Sequence, residues 1–255
     1  MLQVRVKILY NKKIKGNYFH LVLQAPKITK ESLPGQFLNI KVNDAYEPLL
    51  RRPLSIHRVK GANIEFLYEV VGRATELLSH RKPGEYLDVI GPLGNGFQLN
   101  AKHKTLNILV AGGMGVAPLM FLAEKLVKSK VTVLIGAKTK GQILCDKNFK
   151  DLGCEVKIAT DDGSRGFKGK ITDLLKALPL TMDYKLSTIC SCGPGPMLKE
   201  ISRISKKYNI PAQVSLEEHM ACGIGACLGC VVNTKEGFKR VCKEGPVFNA
   251  DEIIW

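Results

Sequence analysis

The hydrophobic period changes once along this chain, near residue 104, and that change limits the fold more than any single residue does. Before it lie short runs such as "QVRVKILY", "YFHLVLQ", "FLNIKV", "NIEFLYEVV" and "EYLDVIG", separated by turn-rich pieces such as "KIKGN", "SLPGQ" and "RKPGE". Short, evenly spaced runs of this kind predict an antiparallel β-barrel. One helix is expected among them, over Ala74–Arg81. After the change, "TLNILVAGG" and "KVTVLIGA" are continuous apolar runs, the mark of strands buried on both faces. They alternate with helical stretches such as "APLMFLAEKLVKS" and "ITDLLKAL", which predicts a doubly wound α/β domain. From Pro211 the chain is rich in cysteine and glycine and short of regular period. The expected organisation is therefore a β-barrel domain over residues 1–100, an α/β domain over 101–210 and a small cysteine-bearing domain over 211–255.

Composition narrows the class. The chain of 255 residues is 45% hydrophobic and 24% charged, enough apolar mass for ordinary cores without disulfide staples. No apolar run reaches the ~18 residues of a membrane span. The opening "MLQVRVKILYNKK" alternates like a strand rather than a signal peptide, so a reducing cytoplasm is expected and disulfides are not. The net charge of +15 comes from lysines scattered singly and in pairs. That reads as a solvated surface, or as steering toward an acidic protein or anionic nucleotide, rather than as a nucleic-acid interface.

Four of the eight cysteines fall in Cys222-x4-Cys227-x2-Cys230-x11-Cys242. This is the plant-type [2Fe–2S] spacing, and Gly223, Gly225 and Gly229 provide the tight, partly left-handed backbone that wraps such a core. Zinc usually takes two close cysteine pairs, of which only one is present; it stays open as the alternative, within a non-enzymatic zinc- or nucleotide-binding regulatory module. Cys145, Cys154 and Cys190 read as buried apolar thiols.

Two turns carry nucleotide chemistry. "VAGGMGVAP" sets Gly112, Gly113 and Gly115 between a buried strand and a helix that begins near Ala117 and Pro118, a place where backbone N–H groups can cradle a pyrophosphate. "CSCGPGPML" puts Cys192, Gly193 and Pro194 at the C-terminal end of another strand, so Cys192 is expected to face the ligand crevice. In "TDDGS", Asp161 or Asp162 is placed to bond a ribose hydroxyl, which favours NAD over NADP; an unliganded Asp-Gly turn fits as well. In the β-rich part, "RRPLSIH" sets arginines suited to a cofactor phosphate beside Pro53.

Taken in order, "RRPLSI", "GPLGNGF", "AGGMGVAPL", "TDDGS", "CGPGPML", "MACGIGAC" and "CKEGPVF" resemble the ferredoxin–NADP reductase superfamily over nearly the whole chain. Within it they look like the electron-transfer subunits that serve a separate FMN-containing, dihydroorotate-oxidising subunit in pyrimidine (UMP) biosynthesis. The resemblance implies FAD, a [2Fe–2S] cluster and NAD as cofactors, and a heterotetramer with two of each chain. It implies that Arg52, Pro53, Leu54 and Ser55 line the flavin, followed by Leu67, Tyr68 and Glu69 on the next flavin strand. Ala74 and Thr75 would meet the pyrophosphate, with Ala74 standing where glycine is usual. Ser55 and Cys192 would position the flavin and the nicotinamide for hydride transfer. Bifurcating ferredoxin–NADP oxidoreductases and sulfhydrogenases share the layout; an Asp is common at the first cluster position of the bifurcating enzymes, and Cys222 favours the dihydroorotate partner.

Overall fold

The computed structural model describes residues 1–99, 106–178 and 188–255. The expected boundary at 100/101 lies outside the described residues.

The first unit is one antiparallel sheet of seven strands: β1 (Leu2–Lys15), β2 (Tyr18–Gln24), β3 (Phe37–Lys41), β4 (Arg52–Ser55), β5 (Arg58–Lys60), β6 (Asn63–Glu69) and β7 (Tyr86–Leu93). Their order is β4-β3-β7-β1-β2-β6-β5. The two edges, β4 and β5, follow each other in the chain, so the sheet curls until they meet. There the Ile56 N–H donates to the Gln36 carbonyl on one side of the seam, and the His57 N–H donates to the Glu65 carbonyl on the other. Alternate residues such as Leu38, Ile40, Ile64, Phe66 and Tyr68 fill the interior. Two short helices accompany the sheet, α1 (Pro26–Thr29) and α2 (Arg73–Ser79). The first three residues of "KIKGN" do not turn but continue β1 to Lys15, because β1 is the partner of both β7 and β2 and its far end needs only the β2 ladder.

The second sheet also has seven strands: β8 (Leu106–Gly112), β9 (Lys130–Ala137), β10 (Glu155–Thr160), β11 (Phe167–Lys168), β12 (Thr188–Cys192), β13 (Ala212–Ser215) and β16 (Val247–Asn249). The order is β11-β10-β9-β8-β12-β13-β16, parallel except for the last pair. Strand residues alternate between two cores. Ile108 and Val110 face α5 (Ile171–Ala177) and α6 (Gly195–Tyr208), while Leu109 and Ala111 face α3 (Val116–Lys125) and α4 (Asp146–Asp151). The chain leaves β8 in one direction and returns through β12 on its other side, which makes the gap between them the topological switch point.

The sheet runs past the boundary expected at 210/211. β13 pairs with β12, and β16 comes back from beyond the cysteines to pair with β13. These strands are only four and three residues long, too short to show a period. The cysteine-bearing segment between them adds a hairpin, β14 (Val231–Thr234) and β15 (Gly237–Arg240), and shares its core with the α/β sheet through Val241, Cys230 and Cys242.

Barrel and α/β unit are locked together. Phe121 of α3 is part of the barrel core, Arg58 forms an ion pair with Glu124, and the buried His57 bonds the Ala117 carbonyl through Nδ1 at 2.9 Å. Burial pushes the His57 imidazole down to about 4, against the pull of that carbonyl, so the ring is neutral and Nδ1–H donates.

Candidate functional site

The switch point opens into a cleft of about 780 Å³. Its floor is the C-terminal ends of three strands, at Gly112 and Gly113, at Gly136 and Ala137, and at Asp161; Pro194 and Met197 form the wall after β12. Tyr18 and Glu69, from β2 and β6 of the barrel, close one end. Burial and the Glu69 charge push the Tyr18 phenol up. Lys138 and Lys170 add positive charge suited to a pyrophosphate.

The turn after β8 is shaped by contact. A Cβ on Gly115 would lie 1.9 Å from the Cys192 carbonyl oxygen, and one on Gly112 would lie 2.7 Å from the Met197 sulfur. Gly113 differs, with φ +55 and open space around it, so there the backbone conformation demands glycine. The two aspartates separate. Asp161 faces the cleft, whereas the Asp162 carboxylate accepts bonds from the N–H and hydroxyl of Ser164 and closes its own turn. Ala117 and Pro118 are buried in the first turn of α3 and do not line the cleft.

Cys192 does not face this crevice. Its thiol is 1% exposed, within the core under α3, and burial with the nearby Glu217 charge pushes its pKa up. The reason is the period of β12: Cys190 and Cys192 share the α3 face. Gly193 packs against Gly112 instead of standing open.

On the barrel, Arg52, Pro53, Leu54 and Ser55 form the half-buried edge strand β4. The two arginines have different duties. Arg51 is held in an ion pair with Asp88 at 2.7 Å, while Arg52 bonds only the carbonyls of Leu50 and Arg51 among the described residues, leaving a guanidinium for a phosphate. On β6, the two-residue period of a strand turns Tyr68 into the barrel, where its hydroxyl donates to Asn11 at 3.0 Å, so its side chain is not offered to the flavin on the face that carries Leu67 and Glu69. The Thr75 hydroxyl is engaged by the Val71 and Gly72 N–H groups in the turn before α2, and the Ala74 methyl packs in the barrel core.

The four cysteines stand as two pairs. Cys222 and Cys227 lie on the outer loop, with the Cys227 N–H directed at the Cys222 sulfur at 3.4 Å. Cys230 and Cys242 are each 2% exposed, and the Cys242 N–H is directed at the Cys230 sulfur at 3.4 Å. Burial tends to raise the Cys222 thiol, yet the N–H groups of Ile224, Cys227 and Ala226 outweigh it and bring it down to about 6. Burial and the neighbouring Cys230 push Cys242 up to about 12. Among the described residues no three Cys, His, Asp or Glu side chains are placed to share one metal ion. Two thiol pairs with N–H groups aimed at sulfur suit a two-iron core, each iron taking one pair, better than a single tetrahedral zinc. Gly223 and Gly225 take φ of +70 and +86, as expected, but the third left-handed residue is Leu228 at +57, not Gly229. The N–H of Gly229 is directed at the Cys227 sulfur at 3.5 Å.

Two functional contacts escape the sequence. Asn39 of β3 donates from Nδ2 to the Cys222 carbonyl at 3.1 Å, across 183 positions. Arg240 donates to the Gly225 carbonyl at 2.6 Å and is paired with Glu244. Neither sits in a motif; both are found only by folding the chain.

Comparison with known proteins agrees with this layout. Residues 217–254 match the iron-sulfur cluster binding domain of dihydroorotate dehydrogenase B, and residues 109–203 match the oxidoreductase NAD-binding domain. The chain is 43% identical to the dihydroorotate dehydrogenase B (NAD(+)) electron transfer subunit of Desulforamulus reducens, covering 98% of this chain and 97% of that one. It is 38% identical to the subunit of the same name from Bacillus caldolyticus, covering 98% of each. Among solved structures, one reported for flavin-based electron bifurcation by an NADH-dependent reduced ferredoxin–NADP oxidoreductase has a TM-score of 0.86 at 30% identity, over 98% of this chain and 90% of that one. A ferredoxin–NADP reductase from Neisseria gonorrhoeae shares the fold, with a TM-score of 0.68 at 16% identity over 81% of this chain and 91% of that one. With its barrel, nucleotide cleft and paired cysteines in this order, the chain belongs to the family of dihydroorotate dehydrogenase B (NAD(+)) electron transfer subunits.

Proposed function

We propose that this chain carries electrons from an FMN-containing catalytic subunit, which oxidises dihydroorotate to orotate, by way of a [2Fe–2S] centre and FAD to NAD⁺. The reading places it in pyrimidine biosynthesis in the cytoplasm, in a complex with two copies of each chain. No helix among the described residues is long and apolar enough to cross a membrane.

The observation that carries the proposal is the position of the cysteine loop. Asn39 lies opposite Pro53 in the β3–β4 ladder and bonds the Cys222 carbonyl, so the backbone at the first cysteine is tied to the strand next to the one proposed to hold the flavin. The nucleotide cleft ends on Tyr18 and Glu69 of the same barrel. Bound FAD supplies the conversion between hydride chemistry and single-electron chemistry. The chain's own residues divide the remaining work. Arg52 neutralises the flavin pyrophosphate, while Pro53, Leu54 and Ser55 pack along the flavin and orient it. The β8–α3 turn and Asp161 hold NAD. The Cys222/Cys227 and Cys230/Cys242 pairs would hold one iron each. Ile224, Leu228, Val231 and Phe238 are exposed around this loop, Phe238 by 77%, and form the apolar face on which the catalytic subunit docks.

Purified without oxygen, the chain should hold about two irons and two labile sulfides. Cys227→Ser should lose the iron and keep FAD. Alone, the chain should oxidise NADH with artificial acceptors and leave dihydroorotate untouched; adding the FMN subunit should couple dihydroorotate oxidation to NADH formation. Zinc in place of iron, or oxidation of dihydroorotate by this chain alone, refutes the proposal. The kinship with the bifurcating oxidoreductase favours one second reading, the corresponding subunit of such an enzyme or of a sulfhydrogenase, and the copurifying partner decides between them.

A further inference from the structure

Asn39 is fully buried in the middle of β3, between Leu38 and Ile40 of the barrel core. Such a strand position ordinarily suits a β-branched or aromatic residue, and a buried amide is costly unless both its ends are bonded. Here only one end is. The Cys222 carbonyl can only accept, so Nδ2 must face it, and Oδ1 is left without a partner among the described residues. Stability alone therefore does not call for an amide at this position. The loop meets it closely: Gly223 has φ +70, and a Cβ there would lie 2.4 Å from Nδ2. Asn39 also pairs in register with Pro53, so one side chain links the first cluster cysteine to the flavin strand. Arg240 grips the same loop at Gly225 from β15, within the same cysteine-bearing segment, and so fixes the shape of the loop rather than its distance from the barrel.

We infer that Asn39 is a positioning residue that holds the Cys222 end of the loop at a set separation from the flavin strand and thereby governs the rate of one-electron exchange between the two centres. The inference rests on the FAD and [2Fe–2S] assignment proposed above. Each crossing moves one electron, with no bond made or broken in the bridge. Two crossings, with one proton from solvent, supply the hydride that NAD⁺ accepts.

The test uses Asn39→Leu, which keeps the branched outline at a larger volume and removes both the bond and the unpartnered oxygen, leaving the Cys222 carbonyl without its donor at a cost on the order of 1 kcal/mol. Asn39→Ser, too short to reach Cys222, is the second variant. Iron, FAD and the rate of flavin bleaching by NADH should match wild type, with a thermal midpoint lower by a few degrees. Amide hydrogen exchange over residues 222–227 should quicken. Reduction of the cluster, followed by its own absorbance and EPR signal after anaerobic mixing with NADH, should slow about tenfold, the scale on which outer contacts of metal ligands act. Cluster reduction at the wild-type rate in either iron-replete variant overturns the inference, as does loss of iron from both. An absent cluster signal in the wild type would instead bring down the cofactor assignment and the inference with it.

Discussion

The turn after β8 and the loop from Cys222 to Cys230 look alike on paper, since each packs three glycines into a few residues. They are built on different physics. In the first, Gly112 and Gly115 are glycine because neighbouring atoms occupy the space of a side chain, and the turn is rigid because it is full. In the second, Gly223, Gly225 and Leu228 turn left-handed so that N–H groups point at sulfur. Both mix contact and conformation, since Gly113 is left-handed in open space and Gly223 and Gly225 stand against Asn39 and Lys243; the difference is that Gly115 meets backbone, whereas the loop glycines meet the ends of side chains. The comparison teaches that the nucleotide turn is shaped by the backbone of a neighbouring strand, whereas the cluster loop is shaped by its own left-handed residues and, among the described residues, is tied down by the side chains of Asn39 and Arg240.

The largest effect should come from adding one methyl to the crowded turn. In Gly115→Ala the new Cβ meets the Cys192 carbonyl, which is backbone and cannot swing aside. Overpacking of this kind costs about 3 kcal/mol, and the thermal midpoint should fall by roughly 10 °C. Gly113→Ala meets nothing and pays only for its φ of +55, about 1 kcal/mol. Equal midpoints for the two variants would erase the distinction between contact and conformation.

Acid should find the packed side first. His57 pins the start of α3 to the barrel as a neutral donor, and its pKa falls from 6.5 to about 4 on folding. The unfolded chain binds the proton more readily, so this group's contribution is intact above pH 6.5 and is lost as pH falls toward 4. By pH 5 the loss is about 2 kcal/mol. Urea midpoints at pH 7 and pH 5 measure it, and His57→Gln should remove most of the slope. A slope unchanged in that variant would mean that other groups carry the acid sensitivity.

These contrasts also explain what could be read beforehand. The iron–sulfur domain, the strand–helix alternation and the βα turn were legible because each is local: a cysteine spacing, a period, a glycine between a strand and a helix. What failed to show depends on distant contacts. Cys192 looked crevice-facing because its motif ends a strand, but which face its thiol takes is set by the register of β12 against β8. Tyr68 sat inside a run of three expected flavin residues, and strand alternation turned it inward. β13 and β16 were invisible because three or four residues show no period, and the α/β sheet recruits them across the cysteine segment. Asn39 gave no signal at all, since its partner lies 183 positions away.

On the cluster side, the left-handed Leu228 offers a gain. An ordinary side chain at φ +57 costs about 1 kcal/mol relative to glycine, and Leu228 is 61% exposed, so little packing is lost by removing it. Leu228→Gly should raise the thermal midpoint of the chain by a few degrees. If the exposed apolar face receives the catalytic subunit, the same change should weaken the complex. Titration of the two subunits, set beside the melt, separates these effects. A variant that neither gains stability nor loses affinity would show that the strained leucine has no cost and no partner.

The smallest expected effect concerns the ion pair that holds the loop. The Arg240 guanidinium draws the Glu244 carboxylate down from 4.5 to about 2, while Arg240 also grips the Gly225 carbonyl. Because folding lowers this pKa, the stabilisation is complete above pH 4.5 and disappears as pH falls through about 2, a window below that of His57. Both side chains remain about a quarter to a third exposed, so solvent screens the pair and its contribution is small. Urea midpoints of wild type and Glu244→Gln should therefore differ slightly at pH 5 and converge toward pH 3, with the His57 contribution cancelling between them. A difference that stayed constant across that range would mean that Glu244 acts by its shape and its bond to the Arg240 N–H rather than by its charge, and the loop would then be held, like the nucleotide turn, by contact.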